Sequence, residues 1–302
     1  MSIRLDGQVA IVTGAGQGLG RCHAIALAER GAMVVVNDLG DDSGHFASAA
    51  AVVAEIEAAG GVAMANGANV ANFEQVESMI AAAMENWGRV DILINNAGIL
   101  RDKTFQKMSM DDFRLVIEVH LMGSANCSKA VWEIMREQKY GRIVLTSSSS
   151  GLYGNFGQSN YGAAKMAMVG FMNTLHLEGA KYDIRVNCLA PTAGTAMTEG
   201  LLPEPVFKLM DPASVSPGVV FLSGPDAPSR KVLSAGGGSF AVFKGFETEG
   251  INLAPDDVTP EGVAAAWASI DSEDGMRELT AGFEQPTKFS VQAEKKLGLD
   301  LN

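Results

Sequence analysis

The 302-residue sequence contains only three cysteines, Cys22, Cys127 and Cys188, and none stands in a CxxC or Cys/His spacing. Local sequence therefore offers neither a disulfide framework nor a zinc motif, and the three thiols read as small buried hydrophobes. A reducing setting follows, for which the cytoplasm is the simplest expectation. His23, His45, His120 and His176 are equally dispersed, so no metal is expected. Clustered Lys/Arg runs are missing and the net charge is -12, which argues against nucleic acid as a partner. No apolar run reaches the ~18 residues of a membrane span, and the first residues lack a signal-peptide core; a soluble protein without a membrane partner is expected. Internal repeats and low-complexity tracts are absent as well.

What is present is a sequence that is 47% hydrophobic and 19% charged, the balance of an ordered globular chain long enough for one large domain with an appendage. Residues 8–13 (QVAIVT) form a short β-rich run that breaks into a glycine turn. They continue as a helix ended by Gly31, and the strand 32–38 follows. The pattern repeats: helix 46–59, strand 62–70, helix 72–87, strand 90–95, a long helix 110–138, strand 142–147, helix 160–180 and strand 184–189. Strict alternation with fully apolar strands predicts an α/β fold, a doubly wound parallel sheet of the Rossmann type. After Pro191 come a loop to 205, a helix 213–222, and a last strand and turn at 232–246. Residues 1–245 are expected to be one domain, and 246–302 an extension packed on that core or on a neighbouring subunit.

In the first turn, Gly14, Gly16, Gly18 and Gly20 surround Gln17 and Leu19 where a strand meets a helix. Backbone N–H groups and the helix dipole at such a turn receive a pyrophosphate. Asp38 follows at the end of the second strand, where a carboxylate accepts from adenosine ribose hydroxyls and repels a 2′-phosphate. NAD is therefore the expected cofactor. Further along, Ser147–Ser150 precede Tyr161 and Lys165, four residues apart and so on one helix face. An ammonium there is expected to lower the phenol pKa from its ordinary ~10, making Tyr161 a general acid/base. Alone, the pair reads rather as an exposed Tyr and Lys on a surface helix.

Taken together, Thr13-Gly14-x-x-x-Gly18-x-Gly20, Asn95-Asn96-Ala97-Gly98, Ser148 thirteen residues before Tyr161, Tyr161-x-x-x-Lys165 and Asn187-x-x-Ala190-Pro191 resemble the short-chain dehydrogenase/reductase family. More narrowly, NNAGILRDKTF (95–105), VHLMGS (119–124) and QKYGRIVLTSSSSGLYGNFGQSNYGAAK (138–165) resemble its (3R)-hydroxyacyl-CoA dehydrogenase branch, which occurs in the peroxisomal multifunctional β-oxidation enzyme. Bacterial stand-alone relatives of that branch act on acyl-CoA or on 17β-hydroxysteroids. The resemblance implies an NAD-dependent oxidoreductase of secondary alcohols, with a (3R)-hydroxyacyl-CoA as substrate and a 17β-hydroxysteroid as the alternative. A non-catalytic cofactor-binding module is a further alternative, against which the complete Ser148, Tyr161 and Lys165 set counts.

By the same resemblance, Tyr161 exchanges the proton, Lys165 lowers its pKa and binds the nicotinamide ribose, and Ser148 donates to the substrate oxygen. Asn96, Ala97 and Gly98 line the cofactor, Asn69 and Val70 border the adenine, and Pro191 and Thr195 lie near the nicotinamide. Where much of the family has an asparagine, this chain has His120, which either completes a proton relay or is a satisfied structural residue. Pro191-Thr192 replaces the usual Pro-Gly, and Ala235-Gly236-Gly237-Gly238 replaces an acid-containing turn. The segment 197–210 reads as a lid over substrate or as an ordinary connection. A CoA thioester would call for cations near the mouth, with Arg101, Lys103, Lys208 and Lys244 as candidates. A homodimer or homotetramer is implied too.

Overall fold

Each apolar run that precedes a helical stretch forms a strand, and the helical crossovers keep those strands parallel. The structure is a computed structural model describing residues 2–40, 46–195 and 203–298. The elements begin β1 (Val9–Val12), α1 (Gly18–Glu29), β2 (Met33–Asn37), α2 (Ala47–Ala58), β3 (Val62–Asn66), α3 (Phe73–Trp87) and β4 (Ile92–Asn95). Then come α4 (Met110–Ile117), a π turn (Glu118–Met122), α5 (Gly123–Gln138), β5 (Gly141–Thr146), α6 (Ser149–Tyr153), α7 (Ser159–Gly179) and β6 (Ile184–Pro191). α8 (Glu204–Leu209), α9 (Ser216–Ser223), β7 (Val232–Gly236) and β8 (Ser239–Phe243) follow, and α10 (Pro260–Ile270) and α11 (Glu284–Leu297) end the series.

The strand order is β3-β2-β1-β4-β5-β6-β7-β8, parallel from β3 through β7. All four residues of β1 and all four of β4 are buried, which is why these strands read as unbroken apolar runs rather than alternating ones. The order in which strands are added to the sheet reverses between β1 and β4, which remain parallel, so the crevice at their carboxyl ends is the place for a ligand.

The elements depart from the sequence reading at four places. β3 stops at Asn66, not 70, because Asn66 Oδ1 accepts from Ala68 N and from Asn37 Nδ2, bending the chain out of the sheet. The expected helix 110–138 is interrupted by the π turn that carries His120. The five-residue α6 appears within the serine run. Finally, Gly237 and Gly238, with φ of 55° and 78°, form a two-residue turn that folds β8 back on β7 and adds an eighth strand.

The chain divides into two compact units, Met1–Val242 and Phe243–Asn302. In the second, Lys288 is buried and donates from Nζ to Glu247 Oε1 and Thr248 O, and Glu247 pairs with Arg277 through the backbone. In the first, Arg142 on β5 is 1% exposed, stacks on the Tyr140 ring at 4.1 Å, and donates to the carbonyls of Gly141, Asp183, Gly224 and Pro225 and to Asp183 Oδ2. It ties the start of β5 to the turns at Asp183 and at Gly224–Pro225. Arg142→Met removes these bonds together and should lower unfolding free energy by about 2–4 kcal/mol. Arg185→Met, which removes a partly exposed ion pair, should cost under ~1 kcal/mol. Urea denaturation of both checks the contrast.

Candidate active site

The first βα turn is shaped by contact with the neighbouring strand end. Asn96 Nδ2 donates to Thr13 O and Gly14 O, both at 3.0 Å, while Thr13 Oγ1 accepts from Asn96 N and Ala97 N. A Cβ on Gly20 would lie 2.1 Å from Gly14 O, and Gly14 itself has φ of 61°, so both positions require glycine. α1 starts without a side-chain cap and without an acidic residue in its first turn. Its first N–H groups are thus open to an anion. Asp38, just past β2, accepts from Gly16 N at 2.8 Å and from Leu39 N at 2.9 Å.

A cleft of ≈ 440 Å³ runs from this turn across the sheet. It is lined by Gly14, Gln17, Gly18, Leu19, Gly20, Asp38, Asn96 and Gly98 at one end and by His120, Ser148, Tyr161, Lys165, Pro191 and Thr195 at the other. Three expected residues stand elsewhere. Asn69 caps the chain locally by accepting from Ala71 N, Val70 is packed against α5 through Asn126 and Gly123, and Ala97 is not a lining residue. Leu100, Asn155 and Gln158 line the cleft and were missed. All three fall within the family-like segments 95–105 and 138–165, but nothing in their local spacing marked them as cleft residues. Of the expected lid, residues 197–202 lie outside the described residues; Gly194 N donates to Met210 O, and α8 occupies 204–209.

The serine run resolves into different duties. Ser147 Oγ donates to Lys165 O at 2.8 Å and is fully buried, whereas Ser148 caps α6 by accepting from Ser150 N and also meets Tyr161. Lys165 donates from Nζ to Thr146 O at 2.7 Å, and burial pushes its pKa down to about 7. Its ammonium lies 5.5 Å from the Tyr161 ring centroid. The expected lowering of the Tyr161 pKa is reversed: burial holds the phenol above 10.0, the Ser148 hydrogen bond works the other way, and Asp102 adds to the rise. Burial disfavours the charged phenolate more than the Ser148 hydrogen bond favours it.

His120 is 2% exposed and meets the Tyr161 ring edge-on at 5.3 Å, with an interplanar angle of 83°. Its Nε2 lies 2.8 Å from Ile99 O and 3.1 Å from Ile99 N, while Nδ1 has no partner. Burial, with Lys165 adding to it, pushes the imidazole down to about 3, so it is neutral across the ordinary range. Among the candidate cations, Arg101 and Lys103 both face Asp112, Lys208 faces Glu204, and Lys244 belongs to the second unit. Among the described residues no set of His, Cys, Asp and Glu is placed to hold a metal, and no helix is long and apolar enough to cross a membrane.

An open dinucleotide turn and a buried Ser–Tyr–Lys group on one doubly wound sheet define a nicotinamide-dependent dehydrogenase. Residues 8–204 match the short chain dehydrogenase model, and the chain belongs to that family. It is 45% identical over 275 residues to mouse peroxisomal multifunctional enzyme type 2, covering 89% of this chain and 37% of that protein. It thus spans about a third of that relative. The full-length fly enzyme of the same name superposes with a TM-score of 0.82 at 37% identity, over 98% of this chain and 51% of that one. A 7α-hydroxysteroid dehydrogenase complexed with NADH and 7-oxo glycochenodeoxycholic acid gives a TM-score of 0.71 at 30% identity, over 78% and 95% of the two chains.

Lys165 also marks the stability of the fold. Its proton is held to about 7 in the folded protein but to 10.5 by the ordinary side chain. Between those values the unfolded chain binds more protons, so this residue's contribution makes stability rise with pH. Lys165→Met should lose that rise; unfolding midpoints from pH 7 to 10 in both proteins check it.

Proposed function

We propose that the chain is an NAD-linked dehydrogenase of secondary alcohols whose substrate is a (3R)-3-hydroxyacyl thioester of CoA, oxidised to the 3-oxo form. The observation that carries the reading is the junction of Ser148, Tyr161, Lys165 and His120 in one cleft with the glycine turn and Asp38. The pyrophosphate would rest on the uncapped start of α1, and Asp38 would hold the adenosine ribose and disfavour a 2′-phosphate. Bound there, the nicotinamide supplies the hydride acceptor.

The protein's own part is proton transfer and charge control. Tyr161 takes the hydroxyl proton in oxidation and returns it in reduction. Ser148 donates to the oxygen on which negative charge builds. Lys165, once charged, stabilises the phenolate and offers its remaining N–H donors to the ribose; among the described residues Thr146 O is its hydrogen-bond acceptor. His120, edge-on to Tyr161, holds a buried Nδ1 without a partner and is the group through which a proton would leave the site once a water or substrate atom reaches that nitrogen. Because burial keeps Tyr161 protonated, oxidation should speed up with rising pH and reduction should not.

The resemblance of residues 95–105 and 138–165 to the (3R)-hydroxyacyl-CoA dehydrogenase branch favours the acyl-CoA substrate, and the neighbour complexed with 7-oxo glycochenodeoxycholic acid favours a steroid, which we keep as the second reading. The cytoplasm remains our proposed location, resting on three unpaired thiols. Assembly into a homodimer or homotetramer would cover Met166 and Leu177, which α7 leaves exposed.

Reduction of NAD and of NADP is to be followed with a (3R)-hydroxyacyl-CoA, its 3S isomer and a 17β-hydroxysteroid. Turnover of the 3R thioester with NAD is expected; NADP preference contradicts the role of Asp38, and inactivity with all three contradicts the reading. Tyr161→Phe should lower kcat by about 10²-fold or more; near-normal turnover would remove Tyr161 from the chemistry.

A further inference from the structure

Gln158 immediately precedes α7, is 7% exposed, and lines the same cleft as Tyr161 three residues on. Its amide is clamped from both sides. Nε2 donates to Asp102 Oδ2 at 2.6 Å, and Oε1 accepts from Asn155 Nδ2 at 3.0 Å. Turning the amide over would set a carbonyl against the carboxylate and one NH₂ against another, so the orientation is locked. The surrounding backbone is clamped as well: Asn160, fully buried, donates to Arg101 O and accepts from Tyr161 N, while Lys103 N donates to Gly157 O. Two loops, 99–104 and 154–158, are thereby held together beside the tyrosine.

A glutamine amide has two N–H donors, and Asp102 engages one. The second N–H has no acceptor among the described residues, on a side chain that lines the cleft, and an aliphatic alcohol substrate would not need such a donor. In a 3-hydroxyacyl thioester, a carbonyl acceptor lies two carbons from the reacting one. Nothing in the proton chemistry of Ser148, Tyr161, Lys165 and His120 uses Gln158.

We infer that Gln158, oriented by Asp102 and Asn155, is a positioning residue that donates to the thioester carbonyl and selects β-hydroxyacyl substrates over plain secondary alcohols. The inference rests on the acyl-CoA reading and names the contact that would make it specific. A site that recognises a second oxygen discriminates against substrates lacking it, because a buried donor is otherwise left unpaired.

The test compares kcat/KM for a (3R)-hydroxybutyryl-CoA thioester with that for the CoA thioether in which a methylene replaces the carbonyl. Gln158→Met, close in length but without donors, should lower the thioester-to-thioether ratio about tenfold, as one lost hydrogen bond would, with KM for the thioester raised. Asp102→Ala, at an exposed position, should shift the ratio in the same direction. Because the ratio cancels effects common to both substrates, including that of Asp102 on Tyr161, equal losses on both would mark Gln158 as merely structural and overturn the inference. An unchanged thioester rate in Gln158→Met overturns it too. A wild-type enzyme that turns over the steroid but not the thioester overturns the acyl-CoA reading itself, and the Gln158 assignment with it.

Discussion

The bond from Lys165 Nζ to Thr146 O is the interaction on which the site depends. It places a cation at the end of β5 in a setting with almost no water, and Ser147 returns the link by donating to Lys165 O. Strand and helix are thereby joined from both sides, and Tyr161, one turn earlier on α7, is fixed over the cleft. The ammonium is costly to bury with one carbonyl partner, which is why its proton is loosely held. A group in that state responds strongly to any further acceptor that enters the cleft.

The surrounding fold supplies the rest by geometry. Thr13 and Asn96 lock β1 to β4 where the order of strand addition reverses, and the crevice at the sheet's carboxyl edge opens there. Gly20 lets α1 approach that lock closely, so the helix's free N–H groups and the Tyr161–Lys165 pair face one space. The π turn does comparable work opposite: an extra residue in the α4–α5 path turns His120 inward against Tyr161 and Ile99.

Much of the architecture was legible because it is written in local pattern. Apolar runs separated by helical periods announced the parallel sheet, and glycines at a strand end announced the turn. What stayed hidden depends on partners distant in sequence. A π turn adds one residue to a helix and barely disturbs its periodicity, so 110–138 read as continuous. The hairpin of β7 and β8 was masked because two apolar segments around consecutive glycines read as one strand and a turn. The separate duties of Ser147 and Ser148 need α7 in place before either hydroxyl has a partner. Spacing placed Lys165 beside Tyr161, but burial, which sequence does not display, reversed the direction of the tyrosine's pKa.

The central claim is that burial, more than charge proximity, governs this pair. NMR titration of the protein carrying [ε-¹³C]lysine, with the Lys165 signal assigned by its loss in a substituted chain, measures that directly. A midpoint near 7 for Lys165 is the expected result. A midpoint at the ordinary lysine value would mean that the ammonium is well solvated or stably paired, and would contradict the account.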